Sequence, residues 1–175
     1  MPNTYYLLAS NTVGSGGVAT VTFSSIPSTY TDLLLKASAR DTFAGANNGK
    51  ILLKFNGSST SDYSSRQLFG NGSSAGSSSN TSQTEIDITS DGAGDSAGNT
   101  ANTFSNNEVY IPNYTSSDYK SFSIDAVAEE NAAQAFSNLK AGLRSNTAAI
   151  TSITLTARTL FAQHSTFYLY GIKNS

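Results

Sequence analysis

The chain has 175 residues, 13% of them charged, with a formal net charge of −2 and no cysteine. That length suits one domain spanning 1–175 with a core of its own, and the missing cysteines exclude disulfides and thiolate metal sites. No basic stripe exists to neutralise phosphates, so nucleic acid is not an expected partner, and no apolar run reaches the length of a membrane span.

Thr4–Ser10 reads as a first strand, with Tyr5, Leu7 and Ala9 alternating against Tyr6 and Leu8. The start, Met-Pro-Asn-Thr-Tyr-Tyr-Leu-Leu, lacks the basic and long apolar regions of a signal peptide, so no leader is expected. Val13–Gly17 is a turn, and Ala19, Val21 and Phe23 alternate with threonines in a second strand that ends at Ile26-Pro27. Asp32–Arg40 places Leu33, Leu35, Ala37 and Ala39 on one face and Leu34 on the other, which implies some cover on both sides. Lys50–Phe55 is a fourth strand closed by Asn56-Gly57, and Tyr63–Phe69 a fifth. Gly70–Thr84 is almost all Ser, Gly and Asn and is expected to be a long surface loop. Glu85–Thr89 is a short strand, and Ser90–Asn99 a second Gly/Asp-rich loop.

Phe104–Ile111 and Tyr119–Val127 return to period-2 alternation. Glu129–Lys140 is ambiguous: its Ala, Glu and Gln favour helix, while its neighbours are all strand. Gln134–Leu143 is assigned as strand, with a turn of helix around Glu130–Ala133 as the alternative. The chain closes on Ile150–Leu160 and Ser165–Ile172, both alternating and rich in Thr, Tyr and Phe, joined through Phe161–His164 as an expected antiparallel hairpin. About eight to ten short strands with regular turn signals predict an all-β, antiparallel, jelly-roll-like sandwich.

Chemistry is sparse. His164 is the one histidine, and a lone histidine beside a strand turn is more often a bystander than a catalyst. With so few titratable groups near neutrality, folding is expected to change little between about pH 5 and 8. Asp87, Asp91 and Asp95 lie in a Gly-rich stretch that matches no calcium loop, so a polar loop is the reading there. Glu129 and Glu130 are adjacent and would point to opposite faces of a strand, which disfavours a glycosidase pair. Glu108 and Asp125 could approach on neighbouring strands. No catalytic residue, cofactor or metal is expected, and the chain is read as a non-enzyme. Tyr63, Phe69, Tyr110, Tyr114 and Tyr119 lie at strand ends or beside polar loops, where aromatics stack on sugars or anchor partners. The competing reading has them plugging the ends of the sandwich.

Five segments carry a resemblance: Phe23–Leu33, Phe55–Gly57, Ala101–Phe104, Tyr110–Tyr114 and Leu169–Lys173. In order and spacing the chain resembles small structural proteins of tailed bacteriophages, especially those of aquatic hosts. The resemblance implies a β-sandwich on the outside of the virion, on capsid or tail, with the major capsid protein or other virion proteins as partners and no catalytic residues to transfer. The leading expectation is a capsid decoration, or cement, protein, with the Thr4–Leu8 edge and the Gly70–Thr84 loop as contacts. The alternative is a receptor-binding or fibre-tip module that recognises a host glycan. A carbohydrate-binding module of a secreted enzyme is the weaker third reading, since no leader is expected and Trp is absent. Leu34, Tyr168 and Tyr170 are large groups on faces opposite the expected core, so they are the candidate interface of a homotrimer.

Overall fold

The computed structural model describes residues 4–89, 94–131 and 135–173. Among them it holds thirteen strands and no helix: β1 Tyr5–Thr12, β2 Val18–Phe23, β3 Asp32–Asp41, β4 Ile51–Phe55, β5 Tyr63–Gly70, β6 Ala75–Gln83, β7 Ile86–Asp87, β8 Asp95–Ser96, β9 Ser105–Ile111, β10 Lys120–Ala128, β11 Phe136–Arg144, β12 Ile153–Phe161 and β13 Thr166–Ile172. The larger sheet runs β1-β13-β3-β9-β10-β11-β5-β6. The smaller runs β2-β12-β4-β7. They join where Phe161 pairs with Asp41, and β8 adds to β3 as the parallel pair in an otherwise antiparallel network.

Numbered in chain order, β1, β2, β3, β4, β7, β9, β12 and β13 pair as first-eighth-third-sixth in one sheet and second-seventh-fourth-fifth in the other. That is the double Greek key of a jelly roll, so the expected all-β antiparallel architecture is present. The additions are β8, the β5–β6 hairpin between β4 and β7, and the β10–β11 pair between β9 and β12. Four of these five strands lengthen only the larger sheet, which therefore overhangs the smaller one.

The core lies where the sheets face. Leu33, Leu35, Val109, Ile111, Phe167 and Leu169 of the larger sheet oppose Val21, Phe23, Leu53, Phe55, Ile153 and Leu155 of the smaller. Each large apolar side chain so buried contributes about 1.5–3 kcal/mol. Phe55 meets Phe122 edge-on at 5.3 Å between ring centres, and Gly142 leaves the room that the Phe122 ring fills.

Besides the two-residue strand β8 within the expected Ser90–Asn99 loop, three segments depart from the sequence reading. First, β12 and β13 form no hairpin: β12 lies in the smaller sheet and β13 in the larger. The link between them turns the corner of the sandwich. Its backbone groups are held from outside, with Ala162 N donating to Arg40 O at 2.7 Å and His164 N to Val13 O at 2.9 Å. His164 is exposed and takes a positive φ of 73°. Second, the stretch expected as a loop over Gly70–Thr84 contains β6, an edge strand paired along β5. Its serines cannot build core, but a strand exposed on both faces needs none. The turn between them is fixed by Asn71 Oδ1, which accepts the amides of Ser73 and Ser74, and by Gly72 at φ 85°. Third, the helix-favouring stretch is strand from Phe136, paired on both sides, so sheet pairing overrides propensity there. Gln134 and half of the alternative helical turn, Ala132 and Ala133, lie outside the described residues, as does Asp91.

Candidate functional site

Among the described residues no second sheet lies over the outer face of the larger sheet. Register places Leu7, Tyr170, Leu34 and Tyr110 side by side across β1, β13, β3 and β9. The next row along holds Tyr168, Lys36, Glu108, Asp125, Leu139 and Leu68. Tyr5 and Leu7 are each 56% exposed, Leu139 60% and Leu68 63%. Tyr168 and Tyr170 stack with ring centres 6.5 Å apart. A shallow depression of ≈360 Å³ is lined by Tyr5, Leu34, Lys36, Glu108 and Tyr170. Two polar pairs form within this face. Tyr110 Oη donates to Asp32 Oδ2 at 2.8 Å, and this hydrogen bond raises the phenol pKa. Lys36 Nζ sits 2.8 Å from Glu108, whose hydrogen bond raises the lysine pKa.

The structure thus brings Leu34, Tyr168 and Tyr170 to one patch, with Leu34 almost wholly covered by its neighbours and the tyrosines half-exposed. Tyr5 and Leu7 belong to the expected Thr4–Leu8 contact edge and Tyr110 to the candidate contact aromatics, while Leu68 and Leu139 complete that face without being marked in the sequence. Glu108 and Asp125 are direct cross-strand partners on it, with Glu108 tied to Lys36 on an open sheet surface.

Tyr63 and Tyr114 need correcting as partner or glycan contacts. They are 1% and 0% exposed. Tyr63 Oη accepts the Phe55 amide at 2.7 Å, and Tyr114 Oη donates to Pro27 O. Burial pushes both phenols above their ordinary pKa. They plug the ends of the sandwich because a tyrosine ring fills core while its hydroxyl reaches a backbone group at the rim. Phe69 is half-buried over Gly76, and Tyr119 is 59% exposed. With Tyr63 and Tyr114 enclosed and Tyr110 beside Leu34 in the larger sheet, these aromatics form no common stacking platform.

Asp87 and Asp95 are put to different uses. Asp87 Oδ1 accepts the Thr89 amide and hydroxyl at 3.0 Å each. Asp95 is 2% exposed, and among the described residues neither carboxylate oxygen has a hydrogen-bond donor. The nearby Thr103 hydroxyl spends its hydrogen on Thr100 O. Among the described residues no group of three metal-ligating side chains occurs. Burial raises the Asp95 pKa, with the Arg40 charge opposing and Glu130 adding to the rise. The folded chain therefore holds this proton to a higher pH than the unfolded chain. Stability from this group increases as pH falls through the raised pKa towards the ordinary carboxylate value, and at neutral pH the ionised form is a net cost. Asp95→Asn is expected to raise stability at pH 7 by about 1 kcal/mol, or about 2–4 °C in Tm, and to remove that acid-side gain. Thermal melts of both proteins from pH 4 to 8 check it.

Where the larger sheet overhangs, its inner face carries Ser65, Lys140, Ser78 and Asn80 in place of apolar residues, and a polar cleft of ≈540 Å³ opens between it, β7 and the Asn47–Lys50 segment. Comparison of the chain with family models, with curated proteins and with solved structures returns no match.

Proposed function

We propose that this chain is a capsid decoration protein of a tailed phage that assembles as a homotrimer and bridges neighbouring capsid subunits. The observation that carries the proposal is the row Leu7, Tyr170, Leu34 and Tyr110 on a sheet face with no covering layer. Soluble monomers rarely leave a wide apolar face open. The jelly-roll strand order supports the reading, since viral capsid domains use it, although lectins and cupins do too. The resemblance of the five sequence segments to phage structural proteins points the same way. Bridging would act by mass action: burial gained only in the assembled shell shifts the particle away from disassembly. An interface of standard size removes about 800 Å² per partner from water.

The test is the heat and low-salt resistance of particles with and without the chain. The proposal expects particles lacking it to release their genome at a lower temperature, and re-addition of purified protein to restore resistance. Equal resistance would remove the cement role.

A further inference from the structure

We infer that the polar cleft under the overhanging sheet is a binding site for a neutral saccharide. Its floor is the inner face of β11, β5 and β6, its walls are β7 and the Asn47–Lys50 segment, and Asn80 and Gln83 of β6 stand at its exposed rim. The cleft exists because the β5–β6 and β10–β11 additions widen one sheet only, which leaves inward side chains that face no second sheet.

The volume of ≈540 Å³ suits a small ligand. Most pockets of that size are apolar, but here amides and hydroxyls dominate and Ile86 is the large apolar group. Such a lining fits a ligand that both donates and accepts hydrogen bonds around its perimeter, as a sugar ring does. The charges balance, with Lys50 and Lys140 against Glu85 and Asp87. The lysines are already engaged by β7: Lys50 Nζ lies 3.3 Å from Asp87 Oδ2, and Lys140 Nζ donates to Asp87 O. A phosphate or other anion would meet no net positive field, which argues for a neutral ligand.

The site is also organised in advance. Lys140 is 2% exposed and fixed in the floor. Asp87 is oriented by Thr89, and Asn48 Oδ1 accepts from Arg158 Nη1 at 2.5 Å. Groups held this way lose little entropy on binding. The cleft uses the inner side of the larger sheet, so it stays separate from the outer apolar face.

The test is an amide-resolved NMR titration of the isotope-labelled full chain. The probes are neutral hexoses, N-acetylhexosamines and their disaccharides, with glucuronate and inorganic phosphate as charged controls. At least one neutral sugar is expected to shift the amides of Asn48, Lys50, Asn80 and Asp87. Asn80→Ala with Gln83→Ala, both exposed on an edge strand, should weaken that binding about tenfold or more, while Leu7→Asp on the outer face leaves it unchanged. The variant's own spectrum reports whether it is folded. The inference is overturned if no neutral sugar shifts these amides, if only glucuronate or phosphate does, or if the folded double variant binds as tightly as the parent.

Discussion

Replacing Arg144 by methionine is expected to cost the fold about 3–5 kcal/mol, the range for stranding one partner of a buried ion pair. Arg144 closes one end of the larger sheet, with its side chain 2% exposed and that of Asp62 10%. Its Nε donates to Asp62 Oδ2 at 3.3 Å, and its guanidinium lies 5.8 Å from the centre of the Tyr63 ring. Without it the Asp62 carboxylate keeps, among the described residues, only Asn146 Nδ2 at 3.3 Å, and Oδ1 has no partner among them to begin with. One relief partly offsets the loss. Lys120 is the direct cross-strand partner of Arg144 and is itself buried. Its pKa is lowered by burial first, with Asp118 opposing and Arg144 adding to the depression. The ammonium donates to the carbonyls of Ser116, Asp118 and Thr147, so it stays satisfied when Arg144 is gone. Adding Asp62→Leu to Arg144→Met removes the stranded charge and should recover much of the loss. Urea unfolding of the parent, both single variants and the double variant measures the coupling. A single-variant cost below about 1 kcal/mol would show that the pair is well solvated after all.

Phe161→Ala is expected to cost about 3–5 kcal/mol, against less than about 2 for Phe69→Ala. Phe161 is 0% exposed at the end of β12, where its backbone pairs with Asp41 of β3 and so joins the two sheets. Its ring meets Phe167 of β13 edge-on at 4.8 Å, across the corner that separates the last two strands. Truncation would leave a cavity at the place where neither sheet can move without unpairing the other, so little collapse is available. Phe69 is half-buried on the overhang, with solvent on one side to fill the gap. Equilibrium unfolding of the two variants gives the comparison, and similar costs at both positions would contradict it.

Strand identity was legible in the sequence because a half-buried strand writes its burial as alternation, and β3, β9, β10, β12 and β13 all do so. β6 was hidden because both of its faces meet solvent, which leaves no alternation to see. The closing hairpin was misread for a different reason. Alternation says which face of a strand is buried but not which sheet it joins, and the corner bonds from Val13 and Arg40 come from chain far away. Leu34 could be picked out because it is a large apolar group among buried neighbours on both sides of one strand. Leu7 and Tyr110 join it only through register, which a lone sequence does not carry. Tyr63 and Tyr114 misled because position at a strand end does not reveal depth. The cleft draws on β5, β6, β7, β11 and the Asn47–Lys50 segment, so no local motif could announce it.

The most direct test of the assembly surface is sedimentation equilibrium of the purified chain and of Leu7→Asp at micromolar concentration. Leu7 is 56% exposed, so aspartate there should leave the fold of one chain nearly unchanged, whereas Leu34→Asp would put a charge into a site only 6% exposed. The expected parent mass is three times 18.3 kDa, with Leu7→Asp shifted towards the single-chain mass. A parent that sediments as a single 18.3 kDa chain, or a trimer untouched by Leu7→Asp, would contradict an interface on the outer face of the larger sheet.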